Sequence, residues 1–164
     1  MDWVNILYVL PFEDDMPDKL LLGVGSDIRG DDGVGAFVAR DFKDPKWEVV
    51  DCGPMPENYI IHVDEGMYQD AVLVDAAHMN LEPGEIRLVP RKALGVFTMS
   101  THSIPLSLAM DFLEEKVKRV FLIGIQPKEM GLKEGLTPEL TEAKERLLLL
   151  LKSGEWEKIP KLEV

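Results

Sequence analysis

Cysteine occurs once, as Cys52, in a chain of 164 residues. A single thiol excludes an internal disulfide and fits a reducing compartment. Basic residues are the minority charge: 18 Lys and Arg face 30 Asp and Glu, for a net charge of -12. That balance argues against nucleic acid and against anionic membrane as partners. Asparagine and glutamine are scarce, with Asn at 5, 58 and 80 and Gln at 69 and 126, a bias seen in thermostable proteins. No apolar run is long enough to span a bilayer. The start Met1-Asp2-Trp3-Val4-Asn5 lacks a basic n-region, and the short apolar stretch after it gives way to Glu13-Asp14-Asp15. Neither membrane insertion nor secretion is therefore expected, and the expected location is cytoplasmic.

What is present reads as one globular domain. At 46% hydrophobic and 29% charged, residues 1–164 can bury a core of their own, and a monomer is expected. Residues 1–19 form a preface of unassigned role, with an edge strand expected over Val4–Leu10 and a polar linker over Pro11–Asp18. Strands are then expected over Lys19–Gly25, Lys46–Asp51, Asp70–Asp75, Glu85–Val89 and Val120–Ile125. Helices are expected over Gly33–Phe42, Glu57–Gly66 and from a Ser103 cap to about Lys118, where Leu106, Ala109, Met110, Leu113 and Val117 keep helical spacing. A last helix starts at a Thr137 cap with Pro138 in its first turn, buries Leu140, Ala143, Leu147, Leu150 and Leu151, and stops at Gly154. Alternating strands and helices predict an α/β fold: a three-layer α/β/α sandwich around a twisted, mostly parallel sheet.

The segment from Leu20 to Gly35 runs from an apolar strand through a glycine-punctuated loop into a helix, the layout in which α/β proteins hold phosphates. The two phosphate-binding patterns nevertheless fail here. Ile28 stands where a dinucleotide fingerprint needs its third glycine, and Asp31-Asp32 follow Gly25 and Gly30 where a P-loop needs Lys-Ser/Thr. Paired carboxylates repel a polyphosphate and suit a cation or acid–base chemistry. In a parallel sheet, sites form at the carboxyl ends of strands. Asp32 after the first strand, Asp75 at the end of Ala71-Val72-Leu73-Val74, and His102 before a helix all fall there. Two carboxylates and an imidazole make a three-ligand metal set with open positions.

Each of these residues also has an ordinary structural reading. Asp31 or Asp32 can cap a helix. Asp75 can satisfy loop backbone donors, and His102 can be a cap or a solvated side chain. His62 and His78 are weaker candidates, Cys52 reads as a small buried residue, and the leucines at 147–151 read as core.

Taken in order, several motifs resemble the [NiFe]-hydrogenase maturation endopeptidases. They are Gly23-Val24-Gly25, Gly30-Asp31-Asp32-Gly33-Val34-Gly35, Asp51-Cys52-Gly53-Pro54-Met55-Pro56-Glu57-Asn58, Val74-Asp75-Ala76 and Pro83-Gly84-Glu85-Ile86-Arg87. The series goes on with Ser100-Thr101-His102-Ser103-Ile104-Pro105-Leu106, Gly124-Ile125-Gln126-Pro127 and Gly135-Leu136-Thr137-Pro138. The likeness covers about residues 20–155 and is greatest to the branch that matures the hydrogenase of formate hydrogenlyase (hydrogenase-3). Ser26 departs from it, since many members carry Asn there.

The resemblance implies an endopeptidase, classed with the aspartic-type enzymes, that clips a C-terminal extension from a hydrogenase large-subunit precursor once nickel is in place. It implies that Asp32, Asp75 and His102 are both the catalytic and the metal-contacting residues, and that the nickel comes with the substrate. No tightly bound metal is then expected in the isolated protein, nor is one needed for folding. Two other classes stay open: a non-catalytic nickel-handling or hydrogenase-assembly module using the same residues, and a nucleotide-binding regulator with a degenerate loop.

Overall fold

Three apolar runs set the centre of the molecule. In the computed structural model, which describes residues 16–94 and 105–164, they form β1 (Lys19–Gly23), β3 (Asp70–Ala76) and β5 (Arg119–Ile125). With β2 (Trp47–Asp51) and β4 (Ile86–Leu88) they build one five-stranded sheet in the order β2-β1-β3-β5-β4. The three pairings from β2 to β5 are parallel, and only β4 runs antiparallel to β5. β3 is buried along its whole length, as expected of a strand covered on both faces.

Alternation along the strands feeds two cores. Leu20, Leu22, Ala71 and Leu73 pack on one face with Ile60, at the end of α2 (Glu57–Ile60), and with Leu106, Ala109, Met110 and Leu113 of α3 (Leu106–Glu114). Leu21, Val72, Val74 and Ile123 pack on the other face with Val34 and Val38 of α1 (Val34–Asp41) and Leu140, Ala143, Leu147 and Leu151 of α4 (Pro138–Ser153). The three layers predicted from the alternating pattern are thus present, with α1 and α4 on one face and α2 and α3 on the other.

Differences from expectation are local. The helix predicted over Glu57–Gly66 closes at Ile60: the bonds from His62 to Tyr59 and from Val63 to Ile60 span three residues, and Gly66 takes a φ of 81°. Leu150 is half-buried, whereas the rest of its predicted stripe is fully buried. α4 ends as expected, on Gly154 with a left-handed φ of 78°. Beyond it, the buried Trp156 packs edge-to-face on Trp47 and Phe121, with ring centroids 5.9 and 4.9 Å apart. The chain then returns along β4, where Leu88 donates to the Pro160 carbonyl and accepts from the Leu162 N–H. The predicted edge strand Val4–Leu10 and the Ser103 cap lie outside the described residues. Among the described residues, no helix is long and apolar enough to cross a membrane.

Candidate active site

The strand order makes β1 and β3 neighbours, while the connections from β1 leave in opposite directions: α1 leads outward to β2, and the chain then crosses back to β3. The crevice at the carboxyl ends of β1 and β3 is the topological switch point, where α/β sheets place their sites. The loops that line it are tied together by backbone bonds. Val24 N–H donates to Val74 O (2.9 Å), Cys52 N–H to Gly23 O (2.8 Å) and Gly25 N–H to Gly53 O (2.8 Å). Glycine is required at 25, which has a φ of 138° and whose Cβ would lie 1.8 Å from the Asp32 carbonyl oxygen. The chain therefore folds tightly back on itself and delivers a 3₁₀ turn, Gly30–Gly33, to the mouth of the crevice.

That turn carries both aspartates, each buried, and they differ completely in their partners. The Asp31 carboxylate accepts from Lys128 N–H (2.9 Å), Glu129 N–H (3.0 Å), Thr137 N–H (2.8 Å) and the Thr137 hydroxyl (2.9 and 3.0 Å to its two oxygens). Asp32, only 3% exposed, accepts one bond, from Ser26 N–H to Oδ2 at 3.0 Å. Its Oδ1 is buried with no hydrogen-bond partner among the described residues. Neither aspartate caps α1, whose N-cap is Gly33 with no side-chain bond. Thr137 has the extended backbone of the predicted cap of α4, but its hydroxyl bonds Asp31 instead of its own helix.

Asp75 lies on the adjacent strand, fully buried, one residue after the Val74 carbonyl that receives the β1 loop. It sits opposite Gly124 of β5, where a Cβ would come within 2.9 Å of Val89 Cγ2 and 3.1 Å of Met79 Sδ. The loop beyond β3 is held by Gln126, whose Oε1 accepts from Met79 N–H (2.7 Å) and Leu81 N–H (3.3 Å). The structure thus brings Asp32, in the turn that follows β1, and Asp75, on the neighbouring β3, to the same edge of the sheet. His102 lies outside the described residues, whereas His62 and His78 are described and exposed on the surface. Among the described residues, no three His, Cys, Asp or Glu side chains group as a metal site.

Two further groups lie at the loops that follow β1 and β2. Arg40 of α1 bridges Asp27 (2.8 Å) and Asp51 (2.7 Å), and Asp51 in turn accepts from Gly53 N–H at 3.0 Å. The two carboxylates raise the Arg40 guanidinium above its ordinary pKa, so this clamp stays charged. Cys52 is buried at the end of β2, and burial, with the nearby Asp51 and Glu57 charges, pushes its thiol up to about 12. It is therefore a packing residue and not a nucleophile at neutral pH. Spacing alone assigns no role to Arg40 or Gln126, although Gln126 falls within the motif Gly124-Ile125-Gln126-Pro127.

Fold and site together define a small α/β protein with a carboxylate-bearing switch point. Residues 34–152 match the family model described as hydrogenase maturation protease. The chain is 37% identical over 140 residues to the hydrogenase 3 maturation protease of Escherichia coli K12, a match covering 83% of this chain and 90% of that one. A crystal structure of a hydrogenase 3 maturation protease superposes with a TM-score of 0.79 at 32% identity, over 90% of this chain and 98% of the other. The [NiFe] hydrogenase maturation protease HycI of Thermococcus kodakarensis gives 0.72 at 34% identity, over 82% and 90%. The chain belongs to the hydrogenase maturation protease family.

Proposed function

We propose that this protein cuts the C-terminal extension from a [NiFe]-hydrogenase large-subunit precursor after nickel insertion, and that Asp32, Asp75 and His102 read the nickel carried by that substrate. The observation that carries this reading is Asp32. A buried carboxylate with one bonded oxygen and a second that no described residue engages is costly unless a ligand completes it. It stands at the switch point beside β3, which carries Asp75 near its carboxyl end.

Nickel already held by substrate cysteines has few free positions, so a weak, open Asp/Asp/His set engages it only when it is present. Cleavage then depends on metal insertion. Bound there, the metal polarises the scissile carbonyl. Whichever of Asp32 and Asp75 remains off the metal takes a proton from the attacking water and returns it to the amide nitrogen as the peptide C–N bond breaks. A neutral thiol at Cys52 and a saturated Asp31 take no part. This aspartic chemistry differs from a pepsin-type dyad, because the acids act beside a substrate-borne metal. The precursor and its processing enzyme share the cytoplasm in this reading.

The test is to mix the purified protein with nickel-loaded and with nickel-free precursor and to weigh the large subunit by mass spectrometry. Loss of a C-terminal peptide from the nickel-loaded form alone is expected. Binding with no change of length would instead favour a non-catalytic nickel-handling role, and equal cleavage of both forms would remove the metal-reading step.

A further inference from the structure

An ionised carboxylate offers about four lone-pair positions to hydrogen-bond donors. At Asp31 four donors fill them: Lys128 N–H, Glu129 N–H, Thr137 N–H and the Thr137 hydroxyl. No capacity is left for substrate, metal or water, although Asp31 adjoins Asp32 in the same turn. Every one of these donors belongs to the segment between β5 and α4, about a hundred residues away in sequence. The backbone repeats the link, since Asp31 N–H donates to Glu129 O (2.8 Å), Gly30 N–H to Lys133 O (2.7 Å) and Lys133 N–H to Ile28 O (3.1 Å). The carboxylate also binds the N-cap residue of the 16-residue α4, where the helix dipole favours negative charge.

We propose that Asp31 is a positioning residue for Asp32: by clamping the β5–α4 segment to the Gly30–Gly33 turn, it fixes the direction in which the Asp32 carboxylate is presented. The turn is pinned on its other side by the close approach of Gly25 to the Asp32 carbonyl. Loss of the Asp31 carboxylate bonds leaves only backbone bonds to tie the turn to that segment, and so loosens the side from which Asp32 is presented. The two adjacent acids therefore divide the work, one supplying geometry and the other chemistry. The proposal rests on the reading that Asp32 acts in cleavage.

The experiment uses Asp31→Asn, Thr137→Val, their double variant, Asp32→Asn, and Leu147→Ala as a core variant remote from the turn. Cleavage of nickel-loaded precursor is followed by mass spectrometry alongside the side-chain ¹³C signal of Asp32. Asp31→Asn puts an amide NH₂ among N–H donors, whereas Thr137→Val removes one hydroxyl and keeps the shape and the N–H bond. Asp31→Asn is expected to lower kcat by about tenfold or more, the size of a small misplacement of an acting group, with KM changing less. Thr137→Val should lower kcat by a smaller factor, and the double variant should be no worse than Asp31→Asn. Both single variants should shift the Asp32 signal. Leu147→Ala should lower the melting temperature but leave kcat and that signal unchanged. If Asp31→Asn does not fold, Thr137→Val decides alone. An unchanged kcat and an unmoved Asp32 signal in the folded variants, with Asp32→Asn inactive, would overturn the positioning role. Full activity of Asp32→Asn would instead overturn the reading beneath it.

Discussion

Gly35 on α1 meets Val74 on β3 so closely that a Cβ on Gly35 would lie 2.1 Å from the Val74 carbonyl oxygen and 2.4 Å from that of Val24. This contact seats the start of α1 directly over the junction of β1 and β3, and so fixes the turn bearing Asp32 relative to the strand bearing Asp75. Gly35→Ala has only backbone to push against and is expected to destabilise the fold by about 3 kcal/mol. Urea unfolding measures the loss, and an unchanged midpoint would show that the helix can shift freely.

Asp32→Asn, Asp75→Asn and His102→Ala are each expected to stop precursor processing. The amide keeps an acceptor for Ser26 N–H while removing the negative charge and the basic site. Asp32→Asn should therefore leave the circular dichroism spectrum and melting temperature near those of the parent. Retained processing in any of the three variants would take that residue out of the mechanism.

Asp70, at the start of β3, is buried and receives two bonds from the Arg119 guanidinium, at 2.7 and 3.0 Å. Arg119 is half-exposed and also reaches Glu157, an exposed partner whose contribution is small. Arg119→Ala leaves a buried carboxylate without its cation and should cost about 2 kcal/mol, whereas Glu157→Ala should cost much less. Chemical denaturation of the two variants separates them.

Cys52 sets a limit in alkali. Its thiol is raised from an ordinary 9.0 to about 12. Below pH 9 both the folded and the unfolded chain hold the proton, and the contribution to stability is complete. Between pH 9 and about 12 the unfolded chain releases the proton while the folded chain keeps it, so stability falls as pH rises. Cys52→Ala should flatten that decline without altering processing at neutral pH. A thiol reagent should modify the native protein only after denaturant is added.

The layers were legible in the sequence because β1, β3 and β5 are short, nearly unbroken apolar runs and α4 is framed by Thr137-Pro138 and Gly154. The paired acids were legible as a feature but not as a division of roles. Asp31 and Asp32 are chemically identical and adjacent, and only the return of Lys128, Glu129 and Thr137 from a distant segment separates a saturated carboxylate from one with a single bonded oxygen. The Thr137-Pro138 pair likewise placed the start of α4 correctly while misdirecting the Thr137 hydroxyl, which donates to Asp31 and makes no capping bond to its own helix. The family motifs singled out Asp32, Asp75 and His102. The folded chain adds the neighbouring strands that bring Asp32 and Asp75 to one edge, and His102 falls in the span outside the described residues.

The return of the chain along β4 has a consequence for handling the protein. Leu88 would otherwise present an unpaired amide and carbonyl on the outer strand of the sheet, and Pro160 and Leu162 occupy both. An outer strand left open is a template for pairing with a second molecule. A version shortened before Pro160 is thus a candidate for self-association through β4.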